Sequence, residues 1–249
     1  MSGFYYFCSI VIEVFKKENQ TYGEFNNGEI IENKPIGFPT DKGSTRSYSN
    51  LFYWAHATAK LDSTISLHPH KGFEIVTFVI SGSIKHYDTL IDKWIKLNKG
   101  DLQVIQSGSG IFHSEFLQKN SSIFQIWFDP NINKTIKEKP KYKDYQSSFF
   151  KIKNNKKTII GKDSCVKIKS ENIEIFELIL TEDTALNLDS KKYYSIYILS
   201  GKISLKEKSI NIHDFIKISN ETNISLKIIN ASKLFVITSP INVSYKTYK

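Results

Sequence analysis

The sequence predicts an all-β protein built as two β-barrels with little helix. Three observations carry this. Short runs alternating apolar and polar residues recur along the 249-residue chain. No stretch of eleven or more residues keeps a 3.6-residue apolar period. A strand–glycine–strand phrase in the first half also returns in the second. With 40% hydrophobic and 13% aromatic residues the chain can fill a core, and 24% charged residues argue against extended disorder.

Taken in order, the apolar run Phe4 to Phe15 is too short to span a bilayer, contains Glu13, and has neither a basic start nor a small-residue cleavage site. It reads as a strand rather than a signal peptide or membrane anchor. Further strands are expected at Phe73 to Ile80, Leu102 to Gln106, Ile123 to Phe128, Ile173 to Leu180, Tyr194 to Leu199 and Phe215 to Ile218. After Pro130 the pattern lapses: Asn131 to Ser148 holds five lysines and Pro140, which suits an exposed linker. The expected division is therefore a first barrel over 1–130, a linker over 131–148 and a second barrel over 149–249. The repeat supports it, since Phe78-Val79-Ile80-Ser81-Gly82-Ser83-Ile84 matches Tyr197-Ile198-Leu199-Ser200-Gly201-Lys202-Ile203. About a dozen residues further on, Asp101 in Gly100-Asp101-Leu102 is echoed by Asp214 in His213-Asp214-Phe215.

The net charge of +9 is unevenly spread, with −1 over residues 1–130 and +10 over 131–249. Arg46 is the only arginine, so bidentate reading of guanine or phosphate is poorly equipped, and sequence-specific nucleic-acid binding is not expected. The lysine excess reads as a solvated surface. Cys8 and Cys165 show no CxxC spacing, which excludes a disulfide framework and a thiolate metal site and fits a reducing, cytoplasmic setting. Two barrels in one chain favour a monomer.

The chemistry gathers in two short segments. In His68-Pro-His-Lys-Gly-Phe-Glu, strand alternation places His68 and His70 on one face. In Gly108-Ser-Gly-Ile-Phe-His-Ser-Glu115, His113 and Glu115 form a second i, i+2 pair behind a glycine turn that can deliver a strand into a barrel. Three imidazoles and a carboxylate suit iron, manganese, nickel, copper or zinc better than calcium or magnesium, and four protein ligands leave two octahedral positions open. Against this stands the fact that a buried histidine is more often hydrogen-bonded than metallated, and His-x-His alone is a weak signal. On spacing, Glu74 competes with Glu115 for the carboxylate position, as a ligand or as an acceptor orienting an imidazole. His56, alternating with Phe52 and Trp54, reads as a strand histidine or a residue of the cavity mouth; His86 reads as a surface or hydrogen-bonded side chain. Phe73, Phe112 and Trp127 read as core or as an aromatic wall for a planar ligand.

From about Tyr53 to Pro130 the chain resembles the pirin family of the cupin superfamily. The resemblance is carried by His68-Pro-His-Lys-Gly-Phe-Glu-Ile-Val-Thr-Phe-Val-Ile-Ser-Gly82, by Gly100-Asp101-Leu102-Gln103 with Gly108-Ser-Gly-Ile-Phe-His-Ser-Glu115, and by Gln125-Ile126-Trp127. It implies a bicupin whose first barrel binds Fe2+, or else Mn2+, Ni2+, Cu2+ or Zn2+, through His68, His70, His113 and Glu115. It favours Glu115 over Glu74 as the ligand. Aligning Gly201 on Gly82 places Asn187 and Asp189 opposite His68 and His70, and aligning Asp214 on Asp101 places Leu226 opposite His113, so the second barrel is expected to lack a metal. The resemblance also implies two roles. One is a quercetin 2,3-dioxygenase, with a small planar aromatic substrate, Glu115 as proton acceptor and loss of carbon monoxide. The other is a redox-sensitive iron-binding regulator acting through a protein partner.

Overall fold

The computed structural model describes residues 11–43 and 45–248. Cys8 and the start of the run from Phe4 lie outside the described residues. Twelve strands occupy the first part of the chain: β1 (Val11–Phe15), β2 (Thr21–Phe25), β3 (Ile30–Ile36), β4 (Leu51–Ala59), β5 (Ser63–His70), β6 (Glu74–Ser81), β7 (Ser83–Asp88), β8 (Ile95–Asn98), β9 (Leu102–Gln106), β10 (Ile111–Leu117), β11 (Ser122–Phe128) and β12 (Lys141–Tyr145). Eight follow: β13 (Ile152–Lys153), β14 (Lys156–Ile160), β15 (Glu174–Leu180), β16 (Thr184–Asn187), β17 (Lys192–Leu205), β18 (Lys208–Ile210), β19 (Phe215–Ser219) and β20 (Asn223–Pro240). Helix is confined to the single turn α1 (Ile132–Thr135) and three 3-10 turns among the described residues.

The first barrel closes a seven-stranded sheet, ordered β12-β9-β6-β11-β4-β3-β2, against a four-stranded sheet, β5-β10-β7-β8. The second is one nine-stranded sheet in which the long β17 and β20 pair along most of their length, with register shifts around Ser200 and Lys202. The fold is the two-barrel, nearly all-β architecture that the alternation implied.

Two boundaries differ from expectation. β1 pairs antiparallel with β19, from Val11↔Ser219 to Phe15↔Phe215, so the amino-terminal strand completes the second barrel. Periodicity shows that a segment is a strand but not which edge it covers, and an edge is satisfied by any chain in reach. The lysine-rich stretch after Pro130 is not a free linker: it contains α1, and β12 pairs with β9 of the first barrel. Along β12, half-buried Tyr142 stands between exposed Lys141 and Lys143, and buried Tyr145 ends the strand, with lysines on the edge as edge strands often have.

The repeat is a real structural echo. Gly82 and Gly201 both take left-handed backbone, φ +70° and +83°. An added Cβ would fall 2.7 Å from Ser121 Cβ in one and 2.4 Å from the Ala231 carbonyl in the other, so only glycine fits these corners. Val79 N–H donates to Asp101 O and Gly100 N–H to Val79 O, just as Ile198 N–H donates to Asp214 O and His213 N–H to Ile198 O. Each aspartate also accepts the backbone N–H three residues earlier, Asn98 at 2.8 Å and Asn211 at 2.9 Å.

The barrels share a core. One face of β4, β6, β9 and β11 presents Trp54, Val76, Phe78, Leu102, Val104, Phe124 and Ile126 to Tyr197, Phe215, Phe235 and Ile237 of the second barrel. Fully buried Trp54 stands 5.6–5.9 Å, centroid to centroid, from Phe215, Phe235 and Tyr197. The opposite face of the same strands lines the interior of the first barrel.

Candidate metal centre

The interior of the first barrel changes character along its length. At one end Ala57, Ala59, Val79, Ile84, Leu117 and Ile123 form an apolar plug. Above it, the next inward residues on β6, β7, β10 and β11 are Thr77, His86, Glu115 and Gln125, joined by Gln103 of β9; all but Gln125 are fully buried. Alternation alone selects this set, because Ile123, Gln125 and Trp127 share one face of β11 while Phe124 and Ile126 share the other.

His68 and His70 sit on β5, and His113 on β10 directly opposite His68 in the antiparallel register. Their ring centroids form a triangle with sides of 4.4, 4.6 and 4.8 Å. The Nε2 atoms of His68 and His113 are 2.8 Å apart, close to the roughly 3 Å between neighbouring donors around one octahedral ion with bonds near 2.1 Å. His68 donates Nδ1–H to the Ser66 carbonyl at 2.7 Å, which fixes the tautomer and leaves Nε2 as the lone-pair donor. Nε2 of His70 and Nδ1 of His113 are buried without a hydrogen-bond partner. Burial, then the neighbouring His68, lowers His70 to about 4, while burial, His70, His68 and His86 push His113 far down. Both are therefore neutral near pH 7, the ligand form. The donor set fits a divalent transition metal.

Glu115 lies near His113 but groups differently. The three compactly arranged imidazoles are His68, His70 and His113, whereas Glu115 groups with His113 and His86. A register shift between His113 and Glu115 offsets the carboxylate along β10. Gln125 Nε2 donates to Glu115 Oε2 at 2.6 Å, and Gln103 Nε2 and the Thr77 hydroxyl face Oε1 at 3.3 and 3.4 Å.

Several sequence expectations are corrected here. Glu74 neither faces the imidazoles nor orients one. It is buried on the outer side of β6, where Oε1 accepts Gln106 Nε2 (2.8 Å) and Lys169 N–H (2.7 Å) and Oε2 accepts Ser170 N–H and Oγ–H (both 2.6 Å). Strand parity counted from His70 is lost across the turn at Lys71–Phe73. His56 is not at a cavity mouth: it shares the Trp54 face, with Nδ1 2.9 Å from the Tyr197 hydroxyl and Nε2 3.2 Å from Ser122 Oγ. Phe112 is about half exposed, on the side of β10 opposite His113.

His86, read as a surface or simple hydrogen-bonding residue, is fully buried and is the cross-strand partner of Glu115. Its Nε2–H donates to Asp88 Oδ2 at 2.7 Å. Burial opposes ionisation of Asp88, yet hydrogen bonds from His86 and the Ile91 and Leu90 N–H groups hold its pKa below the ordinary value. The signal was present as the alternation Ile84, His86, Asp88 behind Gly82. The aromatic wall is Trp127, edge-on to His70 at 4.8 Å, with Phe73 tilted against it at 5.5 Å and Phe52 tilted against Phe73 at 4.7 Å. A separate surface cavity of about 600 Å³ is lined by Leu90, Gln106, Tyr142, Cys165 and neighbouring lysines.

The Pirin family model matches residues 43–128, the stretch that builds this interior. Over the whole chain, the crystal structure of YhhW from Escherichia coli superposes with a TM-score of 0.79 at 19% identity, covering 96% of this chain and 100% of that one. The chain thus carries a Pirin-family match within its first barrel and shares its overall fold with YhhW. A second YhhW structure, described as a bacterial pirin in complex with nickel(II), gives a TM-score of 0.77 at 19% identity over 92% of this chain and 99% of that one. Among sequence relatives, a Caulobacter vibrioides pirin-like protein is 45% identical over 65 residues, which cover 25% of this chain and 28% of the relative. A protein from Escherichia coli K12 named quercetin 2,3-dioxygenase is 24% identical over 178 residues, 70% of this chain and 75% of the relative. The strongest sequence likeness is thus local to the first barrel. No helix among the described residues is long and apolar enough to cross a membrane.

Proposed function

We propose that the first barrel binds one divalent transition metal, iron(II) foremost, through His68, His70, His113 and Glu115, and that the protein is a pirin-like metal-dependent dioxygenase of flavonols such as quercetin. The observation that carries the reading is the triangle of the His68, His70 and His113 imidazoles, with the Nε2 atoms of His68 and His113 2.8 Å apart. The relative named quercetin 2,3-dioxygenase supports the substrate class. When bound, the metal supplies Lewis acidity and a route for electrons to dioxygen.

The protein's own groups then have definable tasks. The Trp127, Phe73 and Phe52 rings offer an apolar wall beside His70 against which a planar polyphenol stacks and water is excluded. Glu115 takes the proton of the flavonol 3-hydroxyl. Gln125, Gln103 and Thr77 donate to that carboxylate and hold it in place.

The test is dioxygen consumption and carbon monoxide release on adding quercetin to iron-loaded protein. Turnover is expected, with at least hundredfold loss in Glu115→Gln and His70→Ala by the magnitudes typical of general-base and metal catalysis. Tight metal binding without turnover across a flavonol panel would refute the enzyme and leave a protein-binding role.

A further inference from the structure

His86 has the local structure of a metal ligand. Three features fix its ring. Nε2–H donates to Asp88 Oδ2 at 2.7 Å, with both side chains fully buried. The other Asp88 oxygen is itself anchored by the Leu90 and Ile91 N–H groups, each at 2.8 Å. The ring lies flat on Tyr142, 4.5 Å between centroids and 7° between planes. An imidazole whose one nitrogen is tied to an immobilised carboxylate presents the other as a rigid lone-pair donor, the arrangement that orients and strengthens metal-bound histidines.

That other nitrogen, Nδ1, is buried and makes no hydrogen bond. His56 provides an internal contrast: it too is buried, yet both of its ring nitrogens are hydrogen-bonded. His86 therefore lacks what a fully satisfied structural histidine has, and its ring stands close to a donor set. One ligand atom each from His86, His113 and Glu115 lie within 4.8 Å of one another. Two ligands on opposite sides of a cation with bonds near 2.1 Å are about 4.2 Å apart, so small adjustments would let this group enclose an ion.

We infer that His86 is a further metal donor, and that His86, His113 and Glu115 form a second coordination position behind the His68–His70 rim. The inference rests on reading the first barrel as a metal centre and adds a residue to it. With His113 common to both groups, an ion at the inner position is held by two imidazoles and a carboxylate, and rim and inner positions are alternatives for one cation. Glu115, offset from the rim imidazoles by the register shift on β10, is a natural ligand of the inner position.

Copper(II) titration with electron paramagnetic resonance tests this independently of turnover. The His68→Ala/His70→Ala double variant keeps only His113 and Glu115 if His86 is no ligand, but keeps three donors if it is. The expected result is one equivalent of copper in the double variant, with nitrogen superhyperfine structure, and at least tenfold weaker binding with an altered spectrum once His86→Gln is added. Asp88→Asn in the double variant leaves the imidazole but removes its anchor, so it should weaken binding about 10–100-fold; if the His86→Gln combination fails to fold, by circular dichroism, this variant decides. Copper binding by the wild type but not by the double variant overturns the inner position alone. So does copper binding in the double variant that is indifferent to His86 and Asp88. A wild type that binds no metal overturns both this position and the proposed function.

Discussion

Glu74 separates two accounts of this protein, because strand spacing offers it as a metal ligand and the structure gives it another task. Its carboxylate accepts four hydrogen bonds, three of them from Lys169 and Ser170 in the segment that leads into β15 of the second barrel. Glu74→Gln keeps the size but turns an NH2 group toward one pair of donors, so about two charge-assisted hydrogen bonds are lost and two donors are left facing a third. At about 1.5–3 kcal/mol per such bond, partly offset by solvation in the unfolded chain, the cost is about 3 kcal/mol. For a chain of this size that lowers the melting temperature by about 6–12 °C. Metal affinity should stay within about threefold of wild type, since no imidazole touches Glu74. Calorimetry or urea denaturation reads the first quantity, and metal titration of the folded variant reads the second. Stability close to wild type together with more than tenfold weaker metal binding would refute the assignment and restore Glu74 to the metal.

His56 should make the junction between the barrels acid-sensitive. Burial, then His213 and Lys17, lowers its pKa to about 3 against 6.5 in the unfolded chain. The unfolded state therefore binds the extra proton first: the stability is fully present above pH 6.5 and is lost as pH falls toward 3, by up to a few kcal/mol, which urea denaturation in the presence and absence of His56→Gln would show as a flatter acid limb in the variant. Gly82→Ala should cost at least about 2 kcal/mol, because left-handed backbone and a clash with Ser121 both oppose a Cβ, and an unchanged urea midpoint would contradict the corner geometry. Trp127→Leu should raise the KM for quercetin about threefold to tenfold with a smaller effect on kcat, the scale of one lost aromatic contact, whereas Phe112→Ala on the exposed side should leave both unchanged.

What the sequence revealed and concealed follows from the period of a strand. Alternation within a continuous strand is local, so the amino-acid order alone assigns His68 with His70, His113 with Glu115, and Gln125 with Trp127 to common faces. The corner glycines and the Asp101 and Asp214 turns were equally legible, because each is a local backbone requirement. What failed needed knowledge of partners. Parity does not pass through the turn between β5 and β6, which misdirected Glu74, and the face shared by His56 and Trp54 is core rather than cavity only because the second barrel packs against it. Pairing of β1 with β19 spans about two hundred residues, and no periodicity encodes a partner at that separation. His86 lies between these cases: its alternation with Asp88 was visible, but its position opposite Glu115 depends on the β7–β10 register.

The same geometry bears on why the proposed metal chemistry is assigned to the first repeat. Both groups of metal-capable side chains found among the described residues lie in the first barrel. In the second, Leu226 stands opposite Thr184 on β16, and Ile196, Ile198, Ile203, Ile216 and Ile224 fill the interior. The second barrel thus contributes apolar burial, while the first keeps the imidazoles of His70, His86 and His113, each with one buried nitrogen that lacks a hydrogen-bond partner. A cation bonding to such nitrogens adds its binding free energy to folding, about 2.7 kcal/mol at a hundredfold excess over Kd. Because Trp54, Phe124, Tyr197, Phe215 and Phe235 form one core, that gain should reach both barrels. Metal-loaded protein should then melt in a single transition raised by about 5–11 °C over chelator-treated protein, followed by calorimetry and by near-ultraviolet circular dichroism of the shared aromatics. A metal-sensitive transition preceding a separate metal-independent one would show that the shared core does not couple the barrels, and the division of labour argued here would fail with it.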